Sequence, residues 1–334
     1  SITTTPSTID ALIENQNAVK APGGLIILSA KAVNTLVAGV IKQSGTLSAS
    51  ADANTITNKG GRILLTANTV KLEAGSQTVA RGPAGGGEVQ INATQTATVE
   101  ATAKVSVSAT QAGDAGTITI HADEKTTING TLLAQGGQQS GNGGVINTTS
   151  HGQVEIGNTA EVKAAVRGTT ANVGTWKVET AAMQINTTNA GVISQSLNTN
   201  NVAVKVTTAA CSLLGICAQS NTATLSAGKL EITQDAQIQK TSPVLTALVL
   251  EASNSPQVQN RVLVDGKIIS TELSPLTLQI LSDNLVEIRQ NATLKAAKIE
   301  VISENGLYNG DIWSYFAQGN GMPLPAISLF ARTL

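Results

Sequence analysis

The sequence predicts an all-β chain wound as a parallel β-helix, and three observations carry that prediction. First, a glycine turn followed by a short apolar segment recurs as Gly23-Gly24-Leu25-Ile26-Ile27-Leu28, Gly60-Gly61-Arg62-Ile63-Leu64-Leu65 and Gly86-Gly87-Glu88-Val89-Gln90-Ile91. Looser copies are Ala115-Gly116-Thr117-Ile118, Gly143-Gly144-Val145-Ile146 and Val173-Gly174-Thr175-Trp176, so the second glycines stand 37, 26, 29, 28 and 30 residues apart. A near-constant period means one supersecondary unit per repeat, stacked in series. Second, Val, Ile and Leu alternate with other residues after each turn, which is strand periodicity. Three strands of about five residues with their turns fill about 25–30 residues, one circuit of such a coil. Third, aromatics are only 2% of the 334 residues, which suits a narrow interior that stacks small and β-branched side chains on copies of themselves.

Composition excludes several classes. A net charge of −1 argues against nucleic acid, which needs a basic face. The same charge, with abundant Val, Ile, Leu and Ala, argues against disorder. No apolar run reaches the roughly 18 residues of a membrane helix. Ser1 opens a polar, Thr-rich segment without an initiating Met, and the chain is expected to be a fragment or a processed product.

Taken in order, residues 1–22 carry Ile9, Leu12 and Ile13 and read as a weak helix or partial circuit at a cut end. Residues 23–196 hold the regular repeats. Within them Ala51–Asn58, Gln77–Gly85 and Gln135–Gly144 read as polar or Gly-rich loops leaving the coil. From 197 to 304 the glycine pairs vanish but the rhythm continues, as in Val202-Ala203-Val204-Lys205-Val206 and Leu276-Thr277-Leu278-Gln279-Ile280. Roughly 11 or 12 circuits are expected, a body on the order of 55 Å long. Residues 305–334 hold Tyr308, Trp313, Tyr315, Phe316 and Phe330, five of the six aromatics, with Met322, Pro323 and Pro325. An open coil end exposes strand edges and must be covered, so this aromatic-rich stretch reads as a C-terminal cap, with a sugar- or partner-binding patch as the alternative.

Few residues suggest chemistry. Cys211 and Cys217 frame a mostly apolar five-residue interval and are expected to form a disulfide in an oxidising compartment. A redox pair would be more closely spaced, and a metal site would need further ligands. Leu213, Leu214 and Ile216 between them form either an exposed partner-binding tip or a segment folded back on the coil. The only histidines are His121, outward on its strand, and His151, at a corner before Gly152. Neither has an evident orienting acid, and Asp114, Asp123 and Glu124 read as turn residues. Acids such as Glu73, Glu88, Glu100 and Glu155 are scattered rather than stacked as a polysaccharide-cleaving pair. No catalytic residues, metal or cofactor are expected. Asn92, Asn129, Asn147, Asn186 and Asn291 begin Asn-x-Ser/Thr triplets, which are glycosylation acceptors or chance in an Asn- and Thr-rich chain. There is no Walker loop and no Asp- and Gly-rich calcium repeat.

The unit Gly-Gly-x-Ile/Val-x-Leu/Ile-x-Ala, followed by a second strand such as Asn68-Thr69-Val70-Lys71-Leu72-Glu73-Ala74-Gly75, resembles the filamentous haemagglutinin-type exoproteins of two-partner secretion. The match covers residues 20–196 well and the remainder by rhythm. The resemblance implies a right-handed β-helix, export through an outer-membrane transporter of a Gram-negative cell, and adhesion at the cell surface. The Asn-Pro-Asn-type motifs of that family's secretion domain are not found here, which implies a downstream shaft or tip. In some adhesins of this type Asn-x-Ser/Thr sites carry sugars. The expected function is a rigid spacer displaying loops to a receptor or glycan on a host or neighbouring cell, with end-to-end self-association as a further possibility. A polysaccharide-binding or polysaccharide-degrading protein is the alternative. Ice binding would need Thr-x-Thr in register on successive circuits, and the sequence does not repeat it so.

Overall fold

Each second glycine of the repeat lies against the second glycine of the preceding lap. In the computed structural model, which describes residues 11–30, 39–52, 54–168, 171–207, 227–254, 260–314 and 327–333, Glu88 N–H donates to Gly61 O at 2.9 Å. Thr117 N–H donates to Gly87 O at 3.1 Å and Val145 N–H to Gly116 O at 3.2 Å. The glycine N–H closes its own lap: that of Gly87 donates to Ala80 O and that of Gly116 to Val107 O, at 2.8 and 2.9 Å. A Cβ built on Gly61, Gly87, Gly116, Gly144 or Gly174 would collide with the carbonyl oxygen of the preceding second glycine. The requirement is close backbone approach, and any side chain would push the laps apart at this corner.

The result is an all-parallel β-solenoid of about ten turns. Its first wall runs through Leu25–Ala30, the first half of Arg62–Leu72, the first half of Glu88–Val99, Thr117–Ala122, Val145–Ser150, Thr175–Thr180 and Asn201–Val206. It continues through Thr246–Ala252, Leu276–Ser282, the start of Lys298–Tyr308 and Ile327–Thr333. The second wall includes Gly39–Gln43, Lys125–Ile128, Gln153–Ile156, Lys229–Ile232 and Leu285–Ile288. These two walls form one 19-stranded sheet. A third wall consists of a six-stranded sheet from Ala18–Lys20 to Glu161–Lys163 and a four-stranded sheet from Gln237–Gln239 to Asp311–Ser314.

Eleven or twelve circuits were expected, more than the turns observed. The lap from Val202 to its partner Leu248 uses 46 residues and that from Leu25 to Arg62 uses 37, so a uniform period overcounts. Gln77–Gly85 is also not wholly a loop, because Gln77–Val79 pairs in the third wall. Ala11–Asn15 and Ala18–Lys20 pair with the following lap. In the described part of 305–334, Asn305–Tyr308, Asp311–Ser314 and Ile327–Thr333 extend the ladders. Tyr315, Phe316, Met322, Pro323 and Pro325 lie outside the described residues.

Alternation fixes the core. On the first wall Ile26, Ile63, Val89, Ile118, Ile146, Trp176 and Val202 are consecutive register partners, and all are buried. Beside them Ala30, Ala67, Ala93 and Ala122 form a parallel column of methyl groups. Trp176 departs from the expectation that the interior excludes rings: it is 0% exposed. Its indole Nε1–H donates to the buried Thr148 Oγ1 in the lap below at 3.0 Å, and that hydroxyl donates to Lys177 O at 3.3 Å. The ring is tolerated because its one polar atom has a partner within the coil.

The helix α1 (Thr187–Leu197) was not expected. It separates the two sheets of the third wall and packs against the last strand of one and the first of the other. Polar side chains of α1 and the turn after it satisfy the interrupted ladder: Ser196 Oγ donates to Val162 O at 2.7 Å and Gln239 N–H donates to Ser194 Oγ at 2.9 Å. Ala164 N–H donates to Asn200 Oδ1 at 3.0 Å. The helix thus takes the place of one strand and supplies partners to these edge groups.

Gly116→Ala should lower stability by about 1–3 kcal/mol, because its methyl group meets the Gly87 carbonyl. Urea unfolding followed by circular dichroism checks this. Thr148→Val should cost about 1–3 kcal/mol by leaving the Trp176 N–H buried without its acceptor, whereas Thr148→Ser should be milder.

Candidate functional site

The coil brings together residues far apart in sequence whenever their separation matches a lap. His121 is the outward residue before Ala122 at the end of Thr117–Ala122. Ala122 opposes Ser150 in the next lap, so the residues that follow, Asp123 and His151, take equivalent corner positions. The two histidines of the chain therefore meet at one carboxylate. His121 Nε2 is 3.2 Å and His151 Nδ1 3.0 Å from the same oxygen, Asp123 Oδ1. The imidazoles stand edge to face with centroids 4.7 Å apart. His121 Nδ1 lies 2.8 Å from Thr149 Oγ1, its own register partner one lap on. His121 and Asp123 are part-exposed and His151 is exposed, at the rim between the first and second walls.

With neutral imidazoles, the contacts are all satisfied when each ring donates an N–H to Asp123 and Thr149 donates its hydroxyl to His121 Nδ1. The other His121 tautomer donates Nδ1–H to Thr149 and leaves the Nε2 lone pair facing the carboxylate, a pair of acceptors that only a cation between them would satisfy. The expectation that neither histidine has an orienting acid is corrected: Asp123 is a corner residue and serves both. The available signal was arithmetic, since Asp123 and His151 are separated by 28 positions, the same offset as the Thr117↔Val145 register.

The other singled-out residues are spread along the coil. Trp313 points outward from Asp311–Ser314, beside its register partner Lys295, and is 62% exposed. Exposed Leu307 lies in the strand that ends just before it. Asn92 and Asn147 are outward on the first wall, and Asn147 Nδ2 donates to Thr119 Oγ1 at 3.4 Å. Asn129 lies at a corner directly after Lys125–Ile128. Asn291 is exposed and donates from Nδ2 to Asp265 Oδ1 at 3.3 Å. Asn186 has a structural duty: its Oδ1 caps α1 by accepting from Thr188 N–H and Asn189 N–H, while Asn189 Oδ1 accepts from Asn186 N–H. Cys211, Cys217, Leu213, Leu214, Ile216, Tyr315 and Phe316 lie outside the described residues.

The outward columns also carry ion pairs between laps. Arg62 meets its register partner Glu88 at 3.0 Å, Lys205 meets its partner Glu251 at 3.1 Å, and Lys125 meets Glu155 at 2.7 Å. The Lys71 ammonium, 2.8 Å from Glu100, holds that carboxyl below its usual range by hydrogen bonding.

Among the described residues one cation faces inward. Lys240 is 1% exposed at a position that small or apolar residues such as Ala134 and Ala164 fill in other laps, and its Nζ donates to Ser242 O at 2.6 Å. Burial pushes its ammonium down to about 8.

No protein-family model matches the chain, and no curated protein matches it. Among the described residues no helix is long and apolar enough to cross a membrane.

The lowered Lys240 pKa means that the unfolded chain binds more protons than the folded one between about pH 8 and 10.5, so stability should rise with pH through that window. Lys240→Met should remove that rise, measured as the change in urea midpoint between about pH 7 and about pH 10.

Proposed function

We propose that this chain is a rigid segment of a secreted bacterial surface adhesin, which holds attachment surfaces away from the cell that makes it. The observation that carries the reading is the continuous first-wall ladder through a solenoid of about ten turns, with polar and paired charged residues on its outward columns. Such a body is stiff along its axis, because bending it must stretch hydrogen bonds on one wall, and its exposed corners tolerate variation. The Gly-Gly repeat and its likeness to two-partner-secretion exoproteins support export through an outer-membrane transporter. The part-exposed side chains of Asn92 and Asn147 and the exposed one of Asn291 support glycan attachment.

The attachment surface best supported by geometry is the outward indole of Trp313, with Leu307 nearby in sequence and Lys295 beside it. An exposed indole stacks on the apolar face of a sugar ring or fills a pocket of a partner protein. The segment holding Cys211, Leu213, Leu214, Ile216 and Cys217 is a second attachment point on sequence grounds. The proposal assigns the chain no reaction.

Trp313→Ala should reduce binding of the purified chain to cells or to a glycan array by about 10-fold or more, on the scale of a buried aromatic anchor. Deleting 207–220 tests the second point in the same assay. Equal binding by intact chain and both variants would reduce the function to that of a spacer. Release of new sugar ends from a polysaccharide by the intact chain would replace adhesion with degradation.

A further inference from the structure

We propose that His121, Asp123 and His151 form a binding site for a first-row transition-metal ion, Zn²⁺ foremost. Two imidazoles and one carboxylate are a donor set that suits Zn²⁺, Cu²⁺ or Ni²⁺ and disfavours Ca²⁺ and Mg²⁺, which take oxygen ligands. The three groups each present one donor atom, and these atoms all lie within 4.8 Å of one another. The separations of 3.2 and 3.0 Å from Asp123 Oδ1 to the two imidazole nitrogens approach the roughly 3.3 Å edge of a tetrahedron with 2.0–2.1 Å bonds. A modest outward shift of the side chains would admit the ion.

Two further features suit an ion at this place. Thr149 Oγ1, 2.8 Å from His121 Nδ1, can accept its N–H and so fix the tautomer that presents Nε2 as a ligand. The backbone holding the ligands is also set by strand register, with Asp123 N–H donating to Ala93 O at 3.1 Å and Gly152 N–H donating to Asp123 O at 2.9 Å. Ligands that need little ordering lose little affinity to it. The site faces solvent at the rim, so a three-ligand ion would keep a position for water or for a donor from another molecule. This revises the expectation of a chain without metal.

The test uses tag-free protein in which Cys211→Ser and Cys217→Ser remove competing thiols. With only two histidines in the chain, Zn²⁺ titration is read directly from their imidazole proton resonances, with calorimetry giving stoichiometry. Both histidines should shift together to a one-to-one endpoint. His121→Ala and His151→Ala should each weaken binding by more than about 10-fold, and Thr149→Val by about 10-fold with the ligands intact. Circular dichroism should be unchanged, since the three substituted side chains point outward. Absence of saturable binding, a shift confined to one histidine, or equal affinity in the double variant His121→Ala/His151→Ala would overturn the proposal. A loss seen only with His→Ala and not with Thr149→Val would place the ion without the Thr149 contact and overturn that part.

Discussion

A parallel coil exists only if each lap can come within hydrogen-bonding distance of the one below along its whole circuit, corners included. Strands do this readily, because their side chains point in or out and not toward the neighbouring lap. At the corner preceding the first wall the backbone turns, and a Cβ there would point at the adjacent lap. The column Gly24, Gly61, Gly87, Gly116, Gly144 and Gly174 removes that obstacle, and its carbonyls accept from the first residue of each following strand. From Gly24 to Gly174 the glycine column therefore lets the corners stack, whereas the later laps keep their register without it.

Register in turn decides what the interior can hold. Where the inward residues are Ile, Val and Ala, each column repeats itself and no polar group is stranded. Several buried positions break the pattern, and Trp176 and Lys240 are compensated differently. Trp176 finds Thr148 directly below, so its N–H is satisfied within the stack. Lys240 finds only the Ser242 carbonyl and gives up part of its basicity. The helix α1 breaks a wall instead of a column, and the ladder edges on both sides are met by Ser194, Ser196, Asn198 and Asn200. In each case the disruption lies where a side-chain hydroxyl, amide or backbone carbonyl could replace what the coil would have supplied.

Much of this was legible in the sequence. The glycine intervals of 37, 26, 29, 28 and 30 are the same as the offsets between paired residues Leu25↔Arg62, Arg62↔Glu88, Glu88↔Thr117, Thr117↔Val145 and Val145↔Thr175. Alternation named the inward residues because period two admits only two faces. The helix was not legible, since Thr187–Leu197 has no strong apolar face and begins among threonines and asparagines that also favour turns. The inward lysine was hidden for a related reason: Gln-Ile-Gln-Lys alternates as a strand should, and period alone does not say that a charge continues the apolar set. The histidine site was hidden because motif reading looks for ligands a few residues apart, while a solenoid places neighbours a lap apart.

That difference bears on how function can be built on such a chain. In a globular fold, residues from distant segments converge through a unique tertiary path, and their spacing carries no rule. Here any two outward residues separated by one lap length stand side by side, so a site needs only the right pair of residues at matching corner positions. His121 and Asp123 sit two apart on one lap, and His151 occupies the corner above Asp123. The same two laps are joined at the corner before the first wall by Val145 N–H, which donates to Gly116 O. The corner that permits stacking thus also sets the spacing of the ligands, and the geometry of the site is a property of the ladder as a whole.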